Sequence, residues 1–269
     1  MPKYTTFIKN ILSEASKTAR RNFGRVHGTV KGSDPNQVLT AADLAIGRFL
    51  VDQIARTFPA HNILDEEAGV VDKGSVVTWV VDPIDGTSNF AAGVPMYGIM
   101  VGLLEREIPV AGGIALPFFS DICVAEKGFG VANSGELLKI NDQTHLGSSL
   151  VAYGMDGHPE TPEVTVSECR LLGEIALKVR NLRSSNSVFD AMMVVKGGYG
   201  AFLNRTSKIW DNVAQQIIIE EAGGIYTDFW GKPMDYSDCL HRIESNYTFC
   251  AAAPLVHRAL QNIIHNSHL

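Results

Sequence analysis

The chain has 269 residues, with 23 Lys+Arg against 29 Asp+Glu and a net charge of −6; 45% of it is hydrophobic and 19% charged. This balance excludes a disordered chain, and the length is enough to bury about three quarters of the unfolded surface in one large domain or two modest ones. A pI near 5.7 supplies no basic face for a nucleic-acid backbone, so no nucleic-acid partner is expected.

From the N-terminus, Phe7, Ile8, Ile11, Leu12, Ala15, Ala19 and Phe23 recur at helical spacing and predict a helix over 4–23. A polar loop from Gly24 to Gln37 follows. Thr40 reads as an N-cap with Asp43 three residues on, a capping box in which Asp stands for Glu or Gln. The helix it opens carries Leu44, Ile46, Phe49, Leu50, Ile54 and Phe58 and stops before Pro59. The texture then turns to strands: Val76–Val81, ended by Asp82-Pro83, then Tyr97–Leu104, Ile108–Leu116 and Asp121–Ala125 as an antiparallel meander. Beyond these, helices are expected from Pro162 to about Val179, over 187–195, over 211–222 and from Pro254 to about His265. Strands are expected over 199–203 and 247–252. Strand runs followed by an alternating half suggest two α/β portions, 1–146 and 147–269, with most acidic candidates in the first and Asp211 in the second.

The longest apolar runs are about half the ~20 residues of a spanning helix, and the N-terminus lacks an apolar signal core. No membrane association is expected. Cys123, Cys169, Cys239 and Cys250 form no CxxC pair and read as buried thiols of a reducing compartment, so the chain is expected in the cytoplasm. The sequons at Asn204 and Asn246 are then chance matches.

The chemistry concentrates in Asp82-Pro83-Ile84-Asp85-Gly86-Thr87-Ser-Asn89-Phe90. Proline stops a strand and glycine permits a tight turn, so two aspartates can face one cavity. The free N–H groups after Thr87 suit a phosphate. Asp65-Glu66-Glu67 lies upstream and Trp210-Asp211 downstream. Taken singly, Asp43 or Asp211 is more often a cap, and Glu66-Glu67 a solvated loop pair. The whole string from Asp82 to Phe90 is not explained that way, because each residue in it has a turn or ligand role at once.

This string resembles the signature of the inositol monophosphatase family, Mg²⁺-dependent and lithium-sensitive phosphatases. Leu39-Thr40-Ala-Ala-Asp43 resembles the family's V-T-x-x-D, Leu64-Asp65-Glu66-Glu67 its G-E-E, Trp210-Asp211-Asn-Val-Ala214 its W-D-x-A, and Glu221-Ala222-Gly223-Gly224 its E-A-G-G. The resemblance implies a layered α-β-α-β-α sandwich of the α/β (α+β) class, commonly homodimeric. It also implies in-line attack of a metal-activated water on a small phosphorylated polyol or sugar, without a phospho-enzyme. Carried over to this chain, Glu66, Asp82 and the Ile84 carbonyl hold a first metal, and Asp82, Asp85 and Asp211 a second. A third, weaker ion shares Glu66. Thr87 and Asp43 orient or deprotonate the water, while the Gly86 and Thr87 N–H groups take phosphate oxygens and Asp85 faces the substrate.

Charge arithmetic agrees. Five carboxylates in one pocket repel by about 4 kcal/mol per pair at ~4 Å and an effective dielectric near 20, so the pocket holds protons or cations. An all-oxygen donor set selects Mg²⁺, with Mn²⁺ a possible substitute, over zinc.

The departures bear on substrate. Asn204, followed by Arg205, stands where the inositol enzymes usually carry a sugar-gripping glutamate. Asn186 and Ser187 stand where the family often has G-[ST]-A, and Asp65 replaces a common glycine. Lys31 is a further phosphate-attracting candidate, though more simply a solvated lysine. Fructose 1,6-bisphosphate, a nucleotide 3′-phosphate or another polyol phosphate therefore stay open beside inositol phosphate. Two rivals differ in kind. Haloacid-dehalogenase-like phosphatases separate their two aspartates by one residue, whereas Pro83 and Ile84 both intervene here. A catalytically silent binding or regulatory relative would have no need of the complete ligand set.

Overall fold

The computed structural model describes residues 2–25, 28–30, 38–141 and 145–267. Helix α1 (Thr5–Asn22) is followed by the two-residue strands β1 (Thr29–Val30) and β2 (Val38–Leu39), then α2 (Ala41–Thr57). Strands β3 (Asn62–Asp65), β4 (Gly69–Val71) and β5 (Val77–Asp85) lead into the short helix α3 (Thr87–Ala92). Strands β6 (Gly98–Glu105), β7 (Ile108–Leu116), β8 (Asp121–Glu126), β9 (Val131–Asn133) and β10 (Glu136–Leu138) complete a sheet of order β10-β9-β8-β7-β6-β5-β3-β4. The rest of the chain runs β11 (Leu150–Gly154), α4 (Pro162–Ala176), β12 (Asn181–Arg183), α5 (Val188–Val195), β13 (Ala201–Ser207), α6 (Ile209–Glu221), β14 (Ile225–Thr227), β15 (Tyr247–Ala252) and α7 (Pro254–Asn266). Its five strands form a second sheet, β12-β11-β13-β15-β14.

Five layers result. α1 and α2 cover one face of the large sheet, where Ile8, Leu12, Ile46, Leu50 and Trp79 are buried. α5 and α6 lie between the sheets, and α4 and α7 pack together beyond the small one. Each fully buried Leu, Ile or Phe contributes roughly 1.5–3 kcal/mol of hydrophobic stabilisation. The expected stripe of α1 is the buried one, with Ile8, Ile11, Leu12, Ala15 and Ala19 all inside. On α2 the expectation fails at Leu44, which is 38% exposed and sits off the Ile46–Leu50–Ile54 face.

The strand expected to end at Asp82 continues to Asp85. Asp82 pairs with Met100 and Asp85 with Gly98, so three steps on β5 oppose two on β6. This is a β-bulge, and Pro83, which has no N–H to give the ladder, lies inside it. Short strands β9, β10, β11, β12 and β14 were not expected from periodicity.

α6 comes unusually close to the large sheet because glycines face it. A Cβ at Gly102 on β6 would stand 2.6 Å from Val213 Cγ1 and 2.9 Å from the Ala214 backbone nitrogen. Backbone cannot yield as a side-chain tip does. Gly102→Ala is therefore expected to lower stability by about 1–3 kcal/mol, read as a drop in thermal midpoint, with a further loss of activity because α6 carries Asp211. An unchanged midpoint would show that the helix can lift off freely.

Among the described residues no helix is long and apolar enough to cross a membrane. All four cysteines are free; Cys123, Cys239 and Cys250 are buried as expected, whereas Cys169 is exposed on α4.

Candidate active site

Parallel pairing of β3 with β5 sets Asp65 beside Val81, and the Glu66 N–H donates to the Val81 carbonyl at 3.2 Å. Glu66 thus leaves β3 next to Asp82. The bulge then lets Asp85 follow Asp82 toward the same cavity. Gly86 turns the chain at φ +78°, and a Cβ there would lie 2.8 Å from Ser187 Cβ; only glycine fits both constraints. Asp65, in the place of the family's glycine, accepts from the Glu67 and Ala68 N–H groups at 3.0 and 2.6 Å and forms the turn.

Three helices begin at this site, and a site carboxylate caps each of them. Asp43 closes the capping box of α2, accepting from the Thr40 N–H at 2.8 Å and from the Thr40 hydroxyl. Asp211 occupies the third position of α6 and accepts from the Lys208 N–H at 2.6 Å. Asp85 accepts from the Val188 N–H at the start of α5, which Ser187 N-caps. Helix N-termini carry partial positive charge, so the three help hold negative charge here. The Thr87 hydroxyl lies 2.8 Å from the Ile84 carbonyl and 3.2 Å from Asp43 Oδ1, which joins α2 to α3.

Carboxylate oxygens of Asp82, Asp85 and Asp211 all lie within 4.8 Å of one another. Glu66 stands outside that cluster but close to it, and its charge is the strongest electrostatic influence on Asp82 after burial. Burial first, then the neighbouring carboxylates, push the Asp82 carboxyl well above its ordinary value. Asp85 is raised likewise by burial and Asp211, against the Val188 N–H, and burial pushes Asp211 up to about 6. Burial also raises Asp43, opposed by its bonds to Thr40. Asp82 is 1% exposed and its Oδ1 has no hydrogen-bond partner. Leaving such an oxygen unpaired costs roughly 1–3 kcal/mol or more. Oxygen-only donors with one buried lone pair unused fit hard divalent cations.

Beside the cluster lies a cavity of about 130 Å³, lined among others by Asp85, Asn186, Ser187, Asn204 and Asp211. Asn186 (φ +50°) donates to Asp156 Oδ1 at 2.9 Å, and Asn204 donates to Asn186 Oδ1 at 3.3 Å. Arg205 is not among the residues that line this cavity; its guanidinium lies 5.5 and 5.6 Å from the Phe229 and Trp230 ring centroids. Lys31 lies outside the described residues. Asn89, part of the signature string, has a structural role: it donates to the Met96 and Ser185 carbonyls at 2.8 Å each and ties the motif to the loop before α5. Residue-by-residue reading missed Gln215, which lines the cavity and whose spacing of four from Asp211 on a helix was the available signal. The E-A-G-G segment is structural: Glu221 accepts from the Gly128 and Gly130 N–H groups at 2.9 and 2.8 Å, far from the cluster in the fold.

The family model described as the inositol monophosphatase family matches residues 2–265. The chain belongs to the inositol monophosphatase family. A fructose-1,6-bisphosphatase/inositol-1-monophosphatase of Aquifex aeolicus is 27% identical over 242 residues, 89% of this chain and 90% of that one. A protein of the same description from Thermotoga maritima is 31% identical over 231 residues, 84% of this chain and 85% of its own. Among solved structures, a Thermotoga maritima IMPase superposes with a TM-score of 0.85 at 26% identity, covering 97% of this chain and 96% of that one. As a member of the inositol monophosphatase family the chain is a phosphoric monoester hydrolase with that family's layered fold.

Proposed function

We propose that this chain is a Mg²⁺-dependent phosphatase of a small phosphorylated polyol or sugar resembling inositol monophosphate. The observation that carries the reading is the Asp82 carboxylate, whose buried Oδ1 has no partner and one of whose oxygens lies within 4.8 Å of one oxygen each from Asp85 and Asp211. Asp82, Asp85 and Asp211, with Glu66 and the Ile84 carbonyl, would hold two to three Mg²⁺ ions, Mn²⁺ being the natural substitute. Such ions, when bound, neutralise phosphate charge and acidify water.

The protein's own groups do the rest. Thr87 Oγ1 takes a proton from the attacking water as it passes its own to Asp43 Oδ1, 3.2 Å away. Thr40 keeps Asp43 oriented through two bonds to Oδ2. The Gly86 and Thr87 N–H groups, turned inward by the positive φ at Gly86, hold phosphate oxygens. Asn186, Ser187 and Asn204 face the alcohol portion. A cavity of about 130 Å³ is below the ~300–1,000 Å³ of drug-sized sites, which favours a small substrate. The two relatives, both fructose-1,6-bisphosphatase/inositol-1-monophosphatases, make fructose 1,6-bisphosphate the second substrate to try. Homodimeric assembly, cytoplasmic residence, lithium sensitivity and the division into 1–146 and 147–269 belong to the same proposal and rest on the resemblance and the sequence.

A panel of phosphomonoesters, assayed for phosphate release with Mg²⁺, with Mn²⁺, with lithium added and with a chelator, tests it. Release from a polyol or sugar phosphate that stops with the chelator is the expected result. Absence of release from every ester in Mg²⁺ and Mn²⁺ would overturn the reading in favour of a binding role.

A further inference from the structure

Gln215, one of the residues lining the cavity beside the carboxylates, carries a second buried acceptor that nothing in the reaction uses. Gln215 is 2% exposed, lines the cavity one helical turn after Asp211, and its Oε1 makes no hydrogen bond. The amide orientation is fixed: Nε2 donates to the Asp211 backbone carbonyl, where the opposite flip would set two acceptors against each other. Oε1 is therefore committed to accepting. The other amide oxygens of the cavity are engaged, Asn186 Oδ1 by Asn204 and Asn204 Oδ1 by the Thr206 N–H at 2.6 Å. Each asparagine amide has one further N–H to give, since the bond from Asn186 to Asp156 and that from Asn204 to Asn186 each use one of two. The cavity thus pairs an unused acceptor with unused donors, and a hydroxyl group is the ligand chemistry that both accepts and donates.

We propose that Gln215 Oε1 accepts a hydrogen bond from a hydroxyl on the alcohol portion of the substrate, and that this makes Gln215 a specificity-determining residue selecting hydroxylated over deoxygenated phosphate esters. The proposal rests on the phosphatase reading above and goes beyond it by naming the group that the amides of the cavity would take. Removing the hydroxyl leaves Oε1 buried and unpaired, which is where a site built on hydrogen bonds discriminates best.

Gln215→Met keeps length and volume but not the acceptor; Gln215→Ala makes room for a water that can accept in its place. For a polyol phosphate, Gln215→Met is expected to raise KM on the order of tenfold, with a smaller rise for Gln215→Ala. Deoxy analogues should then show which hydroxyl is read: at that position wild type and Gln215→Met converge. Mn²⁺ affinity without substrate, measured by calorimetry, stays at the wild-type value in both variants. A purely structural glutamine predicts the opposite order, with alanine worse because it leaves a cavity, and equal losses for hydroxy and deoxy esters. That pattern, or an unchanged KM in Gln215→Met, overturns the assignment while leaving the phosphatase reading intact. A wild type that hydrolyses no ester overturns both.

Discussion

Asp82→Asn is expected to remove nearly all phosphate release, a fall on the order of a thousandfold or more. The substitution is nearly isosteric, so shape is kept while one buried negative charge and one metal-binding oxygen are lost. Asp82 is the residue common to both proposed main metal positions, and its Oδ1 is the site's unpartnered oxygen. Folding should not suffer. In the metal-free protein Asp82 is surrounded by Glu66, Asp85, Asp211 and Asp43, each of which disfavours its charge. An amide replaces repulsion by a donor, so the thermal midpoint without metal should equal or exceed that of the wild type. Phosphate release at saturating Mg²⁺, set beside the midpoint, separates the two effects. Near-wild-type turnover in a folded Asp82→Asn protein would sink the metal assignment.

The second large effect is the coupling of metal, protons and stability. Asp82 and Asp85 are raised well above the ordinary 3.8, and Asp211 up to about 6. A carboxyl whose folded pKa exceeds its unfolded one binds more protons in the native state. Its contribution to stability is thus fullest below about pH 4 and is lost as pH rises through the folded values, about 6 for Asp211. Other carboxyls contribute pH dependence of their own, among them Glu168, Asp190 and Glu220, raised by burial, so the comparison is best made as wild type against Asp82→Asn. Without metal, the wild type should lose stability relative to that variant between about pH 4 and pH 7. Mg²⁺ replaces the protons, so its stabilising effect should grow over the same range. At a hundredfold excess over Kd one ion contributes about 2.7 kcal/mol, or roughly 5–10 °C in a chain of this size. Thermal melts at pH 5, 6, 7 and 8 with Mg²⁺ or chelator measure it. A Mg²⁺ shift that is flat across pH would mean that the ion does not displace protons from these carboxylates.

Much of this site is legible in the chain because the chemistry requires particular residues at particular turns. Pro83 and Gly86 constrain the backbone so tightly that Asp82 and Asp85 could be placed before any coordinates. Thr40 and Asp43 are readable as a cap by spacing alone. What the chain concealed depends on long-range pairing. Pro83 reads as a strand terminator, yet β6 supplies a partner strand that absorbs it as a bulge. Asn204 and Arg205 look like a joint substrate pair in the sequence, yet only Asn204 lines the cavity while Arg205 lies over Phe229 and Trp230, whose ring positions no local spacing reveals. β12, Asn-Leu-Arg, is too short and polar to show a period of two and exists because β11 offers it an edge. Gln215 passed unnoticed because a glutamine on a helix is ordinarily a solvated one, and only the small sheet, whose β13 and β15 line the same cavity, makes it an inward residue.

The capping geometry of Asp43, Asp85 and Asp211 has an evolutionary corollary. The reactive acids are also the pieces that tell three helices where to begin, so architecture and reactivity draw on the same atoms. A lineage of such proteins that abandons hydrolysis cannot simply let these acids drift to apolar residues, since doing so frays the starts of the helices that order the interior. Retention of the acids in an inert descendant would then record a debt to folding, and their presence alone would be a poor witness to living chemistry.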